Sequence, residues 1–142
     1  MNLTTNNVLV DSSFLFCLFN ANTKQHADVK KASQQIRGQL IILNITLTEV
    51  AFLFRRIGGV PATASFLTSF VAGQPNLMSV NSVDLIRARN IMNAYPQSEL
   101  DFVDCCIVAV AERLNIAQIA TLDNRDFGII RPKHCDYFEI IP

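Results

Sequence analysis

Four acidic residues, Asp11, Glu49, Asp104 and Asp123, each sit just after an apolar run or near the opening of a helical pattern. Carboxylates gathered in one cleft raise one another's pKa, so such a cluster calls for a cation. Hard oxygen donors favour Mg²⁺, with Mn²⁺ as the alternative. The chain has only two histidines, His26 and His134, and no CxxC pair among Cys17, Cys105, Cys106 and Cys135, so a zinc site is not indicated. No glycine-rich phosphate loop accompanies the acids. An acidic site of this kind points to phosphodiester hydrolysis, with the metal activating water and stabilising a charged transition state.

The elements that must position these acids alternate. Val8–Val10 reads as a buried strand followed at once by the helix-start signal Asp11-Ser12-Ser13. A polar helix is expected over Thr23–Arg37 and a second strand over Leu40–Leu43. The spacing predicts a helix over Thr46–Ile57, closed by Gly58-Gly59, and another opened by Pro61 and ended by Gly73. Leu77–Val80 is a third strand, and Asn81 or Ser82 caps a helix that runs to about Tyr95. Asp101–Leu114 is the most regular helix, with Val103, Ile107, Val110 and Leu114 on one stripe. Ile116–Thr121 and Tyr137–Ile141 are the last strands, with a short turn or helix over Asp123–Phe127. Continuous apolar strands alternating with helices indicate an α/β domain whose mostly parallel sheet is covered on both faces. Right-handed crossovers then put all four acids at the carboxyl edge of the sheet.

Each acid also has a plainer reading. Asp11 could cap the helix that follows it, and Asp123 the short turn after it. Thr46-Leu47-Thr48-Glu49 has the spacing of a capping box, as do Asp101 and Asp104. Capping does not require Asp, however, because Ser, Thr and Asn serve as well. Ser12, Ser13 and Thr121 stand beside the acids, where their hydroxyls would either bond a carboxylate or metal-bound water or satisfy the local backbone.

The runs Val8–Ser13, Thr48-Glu49, Leu100–Glu112 and Ile119–Phe127 resemble a PIN domain, with the nearest likeness to the VapC-like toxins of bacterial toxin–antitoxin pairs. The likeness extends over essentially the whole chain and implies one PIN-like domain, residues 1–142. It implies a three-layer α/β/α sandwich and maps the family's acidic quartet onto Asp11, Glu49, Asp104 and Asp123. It further implies a Mg²⁺-dependent endoribonuclease, an antitoxin partner and a homodimer. Cys105 stands where the family commonly has Ala, a small-for-small exchange. Asp101 and Asp126 are additional acids near the quartet. Asp101 is read first as a helix cap, and Asp126 as a residue that could support the metal.

Arg125, between Asp123 and Asp126, is a candidate RNA phosphate contact. Arg55 and Arg56 are read first as partners of a helix C-terminus, and as RNA or antitoxin contacts second. Arg131, Lys133 and His134 read as a solvated loop. The phenylalanines of Phe14–Phe19, with Phe52, Phe54, Phe66 and Phe70, read as core or dimer interface rather than base-stacking platforms. A catalytically inactive PIN-like module that binds RNA or protein is the rival reading, but such a module would typically lack an acid. A haloacid-type phosphatase expects Asp-x-Asp, and a receiver domain expects a Lys after a late strand. Neither is present.

Composition bounds these readings. The chain has 142 residues, half of them hydrophobic and 17% charged, which suits one folded domain and excludes disorder. Met1–Val10 carries no Lys or Arg and no long apolar run, so no signal peptide is expected there. No apolar stretch is long enough to cross a membrane, and cysteines in apolar surroundings suggest a reduced, cytoplasmic protein. The 12 acids balance the 12 Lys and Arg. With four acids assigned to one cleft, the other eight leave four net positive charges on the rest of the molecule, compatible with a polyanionic substrate.

Overall fold

A computed structural model describes residues 5–142, apart from the side chain of Asn124. The first four residues of the Met1–Val10 segment therefore lie outside the described residues. Five strands, β1 (Thr5–Val10), β2 (Leu40–Leu43), β3 (Asn76–Met78), β4 (Ile116–Ala120) and β5 (Glu139–Ile141), form one sheet in the order β3-β2-β1-β4-β5. Every pairing among them is parallel. The helices are α1 (Ser12–Leu18), α2 (His26–Gln35), α3 (Asn44–Ala72), α4 (Ser82–Ala94), α5 (Phe102–Leu114) and α6 (Asn124–Ile129).

Val8–Val10, Ile41–Leu43 and Ile119–Ala120 of the three central strands are apolar and buried because both faces are covered there. Val8 and Val10 point into one core with Phe14, Leu15, Val29, Val50, Phe54, Phe66 and Phe70, contributed by α1, α2 and α3. Leu9 points the other way, into a core built with Ala88 and Ile91 of α4 and Cys106, Ile107 and Val110 of α5. This alternation divides the molecule into the expected three layers, α/β/α. The first core is unusually aromatic. Phe54 stacks on Phe66 at 4.8 Å, and Phe19 meets Phe66 edge-on at 5.3 Å.

Three expectations need correction. The helix expected to start at Thr46 starts at Asn44, directly after β2, with extended Leu43 at its N-cap and no side-chain cap. The Thr46–Glu49 capping box is therefore not formed, and Glu49 lies in the second turn rather than the first. The Thr46 hydroxyl is instead buried, without a hydrogen-bond partner among the described residues. The two helices expected either side of Gly58-Gly59 run on as α3 without an intervening loop. They break only at Gly59, whose φ of 71° a side chain would strain. Finally, the 131–134 segment is more than a solvated loop. The Lys133 N–H donates to Glu112 at 2.8 Å, and His134 Nε2 lies 2.6 Å from the Ile116 carbonyl oxygen.

Bidentate ion pairs tie α4 to α5. Arg87 holds Glu112 at 2.6 and 3.0 Å, and Arg113 holds Asp84 at 2.9 Å through both nitrogens. Asp84 is buried and also closes the α4 capping box with Asn81. All four cysteines are free. No helix among the described residues is long and apolar enough to cross a membrane.

Candidate active site

The strand order reverses at β1: β2 and β3 extend to one side, β4 and β5 to the other. Open α/β sheets bind ligands at the carboxyl ends of the strands flanking such a switch point. Val10 pairs with Ala120 there, so the next residues, Asp11 and Thr121, leave the sheet side by side.

Asp11 is 5% exposed, and its carboxylate is held by four groups. Oδ1 accepts from the Ser12 N–H at 2.5 Å and lies 3.3 Å from the Ser12 hydroxyl. Oδ2 accepts from the Ser13 hydroxyl at 3.1 Å and the Thr121 hydroxyl at 2.5 Å. Asp11 does cap α1 through the Ser12 N–H, but capping accounts for one of these bonds. The hydroxyls also reach onward. Ser13 Oγ accepts from the Leu122 N–H and Thr121 Oγ1 from the Asp123 N–H, each at 3.0 Å. The backbone carrying Asp123 is thereby fastened to Asp11.

Glu49 arrives from α3 on one face of the sheet, and Asp104 from the first turn of α5 on the other. Burial raises the Glu49 pKa, the charges of Asp101 and Asp11 add to it, and the Ser12 hydroxyl partly offsets them. Burial, then the charges of Asp11 and Asp101, push Asp104 up to about 8. No cationic side chain is among the groups acting on either acid. The charges of Asp11 and Asp101 thus reach both Glu49 and Asp104.

Asp101 and Asp104 also form a capping box, each accepting from the other's N–H at 3.0 and 3.2 Å. The capping reading of Asp101 is therefore realised, and one oxygen of Asp104 is engaged in it. Asp123 is exposed, forms no side-chain cap, and is not among the charges raising Asp104 or Glu49. Asp126 is buried in α6, and Arg125 beside it is exposed. Among the described residues, no three His, Cys, Asp or Glu side chains stand close enough to share one metal ion as they are placed.

The chemistry of the donor set fits a hard divalent cation. It consists of carboxylates and hydroxyls without a compensating base, and burial first, then the charges of Asp11 and Asp101, raise Asp104 and Glu49, a cost a cation would relieve. Sequence reasoning missed two features. The Asp84–Arg113 and Arg87–Glu112 pairs join residues 25 to 29 positions apart, beyond helical spacing. The buried Thr46 hydroxyl was hidden by an apparent capping motif.

Comparisons with known proteins agree with this architecture. The chain is 26% identical over 135 residues to Ribonuclease VapC26 of Mycobacterium tuberculosis, covering 95% of this chain and all of that one. The crystal structure of VapC20 from the same species, described as a sarcin-ricin loop cleaving toxin, superposes with a TM-score of 0.75 at 22% identity, over 83% of this chain and 91% of that one. VapBC2 from Rickettsia felis, solved bound to a promoter DNA fragment, gives a TM-score of 0.69 at 13% identity, over 94% and 98%. A toxin–antitoxin complex from Klebsiella pneumoniae gives 0.66 at 21% identity, over 87% and 92%. The family model for the PIN domain matches residues 8–131, from the first buried strand through the last helix, and the chain belongs to the PIN domain family.

Proposed function

We propose that this protein is a Mg²⁺-dependent endoribonuclease, with Mn²⁺ as an alternative ion, and the toxin of a toxin–antitoxin pair. The observation that carries the reading is buried Asp11 at the switch point of the sheet, with Glu49 and Asp104 close enough to feel its charge and no cationic side chain acting on either. The ribonuclease name of the curated relative, and the toxin–antitoxin complexes among the structural relatives, support the substrate class and an antitoxin partner. A homodimer is part of the same proposal, as is a single domain over residues 1–142.

Asp11, Asp104 and Asp123 would hold the metal directly or through water, with Glu49 as a further ligand or the group that positions the attacking water. When bound, the metal supplies an activated water and stabilises charge on the phosphate. Asp11 is held by Ser12, Ser13 and Thr121, so its oxygens keep one orientation. Asp104 and Glu49, each raised first by burial and then by the charges of Asp11 and Asp101, would gain from a cation held beside Asp11. Asp101 and Asp126 would stand beside the ligands, and Arg125 would contact a phosphate.

Purified protein incubated with total RNA in Mg²⁺ or in EDTA tests the reading. Cleavage should appear with Mg²⁺, vanish with EDTA, and be lost in Asp11→Asn. Cleavage by Asp11→Asn at the parental rate would overturn the assignment.

A further inference from the structure

We propose that Phe52 and Arg56 form a track for single-stranded RNA leading away from Glu49 along the outer face of α3. The inference rests on the ribonuclease reading of the acidic site. Residues three and seven positions beyond Glu49 lie on its side of an α-helix, and seven residues rise about 10 Å. Those positions are Phe52 and Arg56. Against the sequence reading that grouped it with the core phenylalanines, Phe52 is 64% exposed, whereas Phe54, Phe66 and Phe70 of the same helix are buried in the aromatic core. It therefore contributes little to folding, yet a large apolar ring faces water one turn from a candidate catalytic acid.

Arg55 and Arg56 are also exposed. The ion pairs among the described residues are Arg87–Glu112 and Arg113–Asp84, so neither arginine is spent on one. An acid, an exposed ring and an unengaged guanidinium thus follow one another along one helix face. A nucleic acid strand has complementary chemistry: a phosphate at the acid site, a base to stack on the ring, and a further phosphate for the cation. Stacking requires an unpaired base, so the occupant is a single strand or loop rather than a duplex.

The test is fluorescence anisotropy with a labelled single-stranded RNA oligonucleotide of mixed sequence, and with the same strand annealed to its complement. The full chain is used in EDTA, so that binding is read without cleavage. Phe52→Ala should weaken single-strand binding by about tenfold, Phe52→Trp should retain it, and duplex binding should change little. Arg56→Ala should reduce the slope of log affinity against log salt by about 0.7. Thermal melts of both variants should match the parent, since neither side chain is buried.

Parental single-strand affinity in Phe52→Ala would overturn the proposal. So would an equal loss for duplex, or a change from dimer to monomer with RNA binding intact, which would make this face a protein interface. The two readings fail separately. Cleavage that needs Asp11, with RNA affinity indifferent to Phe52, removes the track and keeps the nuclease. Phe52-dependent binding by a protein that cuts nothing removes the nuclease and keeps the track.

Discussion

Asp11 is tied to the opposite strand end by hydroxyls rather than by charge. Ser13 and Thr121 each bond its carboxylate and also accept a backbone N–H from the loop that carries Asp123. Replacing Thr121 by Val keeps the shape but removes the bond to Asp11 and the acceptor for the Asp123 N–H. The expected result is a cleavage rate lowered about 10- to 100-fold, the usual cost of removing a group that orients a metal ligand. Thr121→Ser should recover most of it. A Thr121→Val enzyme with parental cleavage would mean that the clamp positions nothing. Asp11, its hydroxyl neighbours and the Asp101–Asp104 box were legible in the sequence because each lies within three residues of a strand end or helix start. The unpaired Thr46 hydroxyl was not legible. A helix that begins two residues early turns an expected cap into a buried side chain, and that shift depends on how β2 hands over to α3.

At the scale of elements, the two bidentate ion pairs fix α5, and with it Asp104, against α4. The Asp84 carboxylate is driven up by burial, but bonds to Arg113 and to the Asn81 backbone, with the Arg113 charge, outweigh this and hold it below its ordinary value. Glu112 is likewise held down against burial by Arg87 and the Lys133 N–H. A carboxylate whose folded pKa is depressed contributes stability above its unfolded pKa of roughly 4 and loses it as pH falls through the folded value. The native state should therefore weaken in acid below about pH 4. Arg113→Ala leaves the buried Asp84 charge without its partner and should cost about 3 kcal/mol at pH 7, read by urea unfolding. Because protonation neutralises the stranded carboxylate, the gap between variant and parent should narrow as pH falls. A gap that stays constant from pH 7 to pH 3 would show that packing, not charge, joins the helices. The helices and their order were readable from apolar spacing, but these pairs were not. They depend on how two helices lie against each other, and local periodicity carries no record of that.

The whole molecule sets the same charges against one another at the sheet edge. Three layers converge there: Glu49 comes from one face, Asp104 from the other, and Asp11 from the strand between them. Topology made the shared sheet edge readable in advance. The unequal standing of the acids was not readable, because Asp123 joins through its backbone while Asp101 acts on both Glu49 and Asp104. An acid site of this kind is a load on the metal-free fold. Burial and the charges of Asp11 and Asp101 push Asp104 up to about 8, so the folded state keeps a proton that the unfolded chain releases near pH 4. Stability from this group is fully present below about pH 4 and is lost progressively as pH rises to about 8. Asp104→Asn cannot ionise and keeps an oxygen for the Asp101 N–H. In EDTA it should melt above the parent at pH 8, and the difference should shrink toward pH 5. Adding Mg²⁺ at pH 8 should raise the parent's melting temperature by mass action and move the variant far less. If the two proteins melt together at pH 8 in EDTA, Asp104 carries no such load, and the field of acids is weaker than its burial and neighbours dictate.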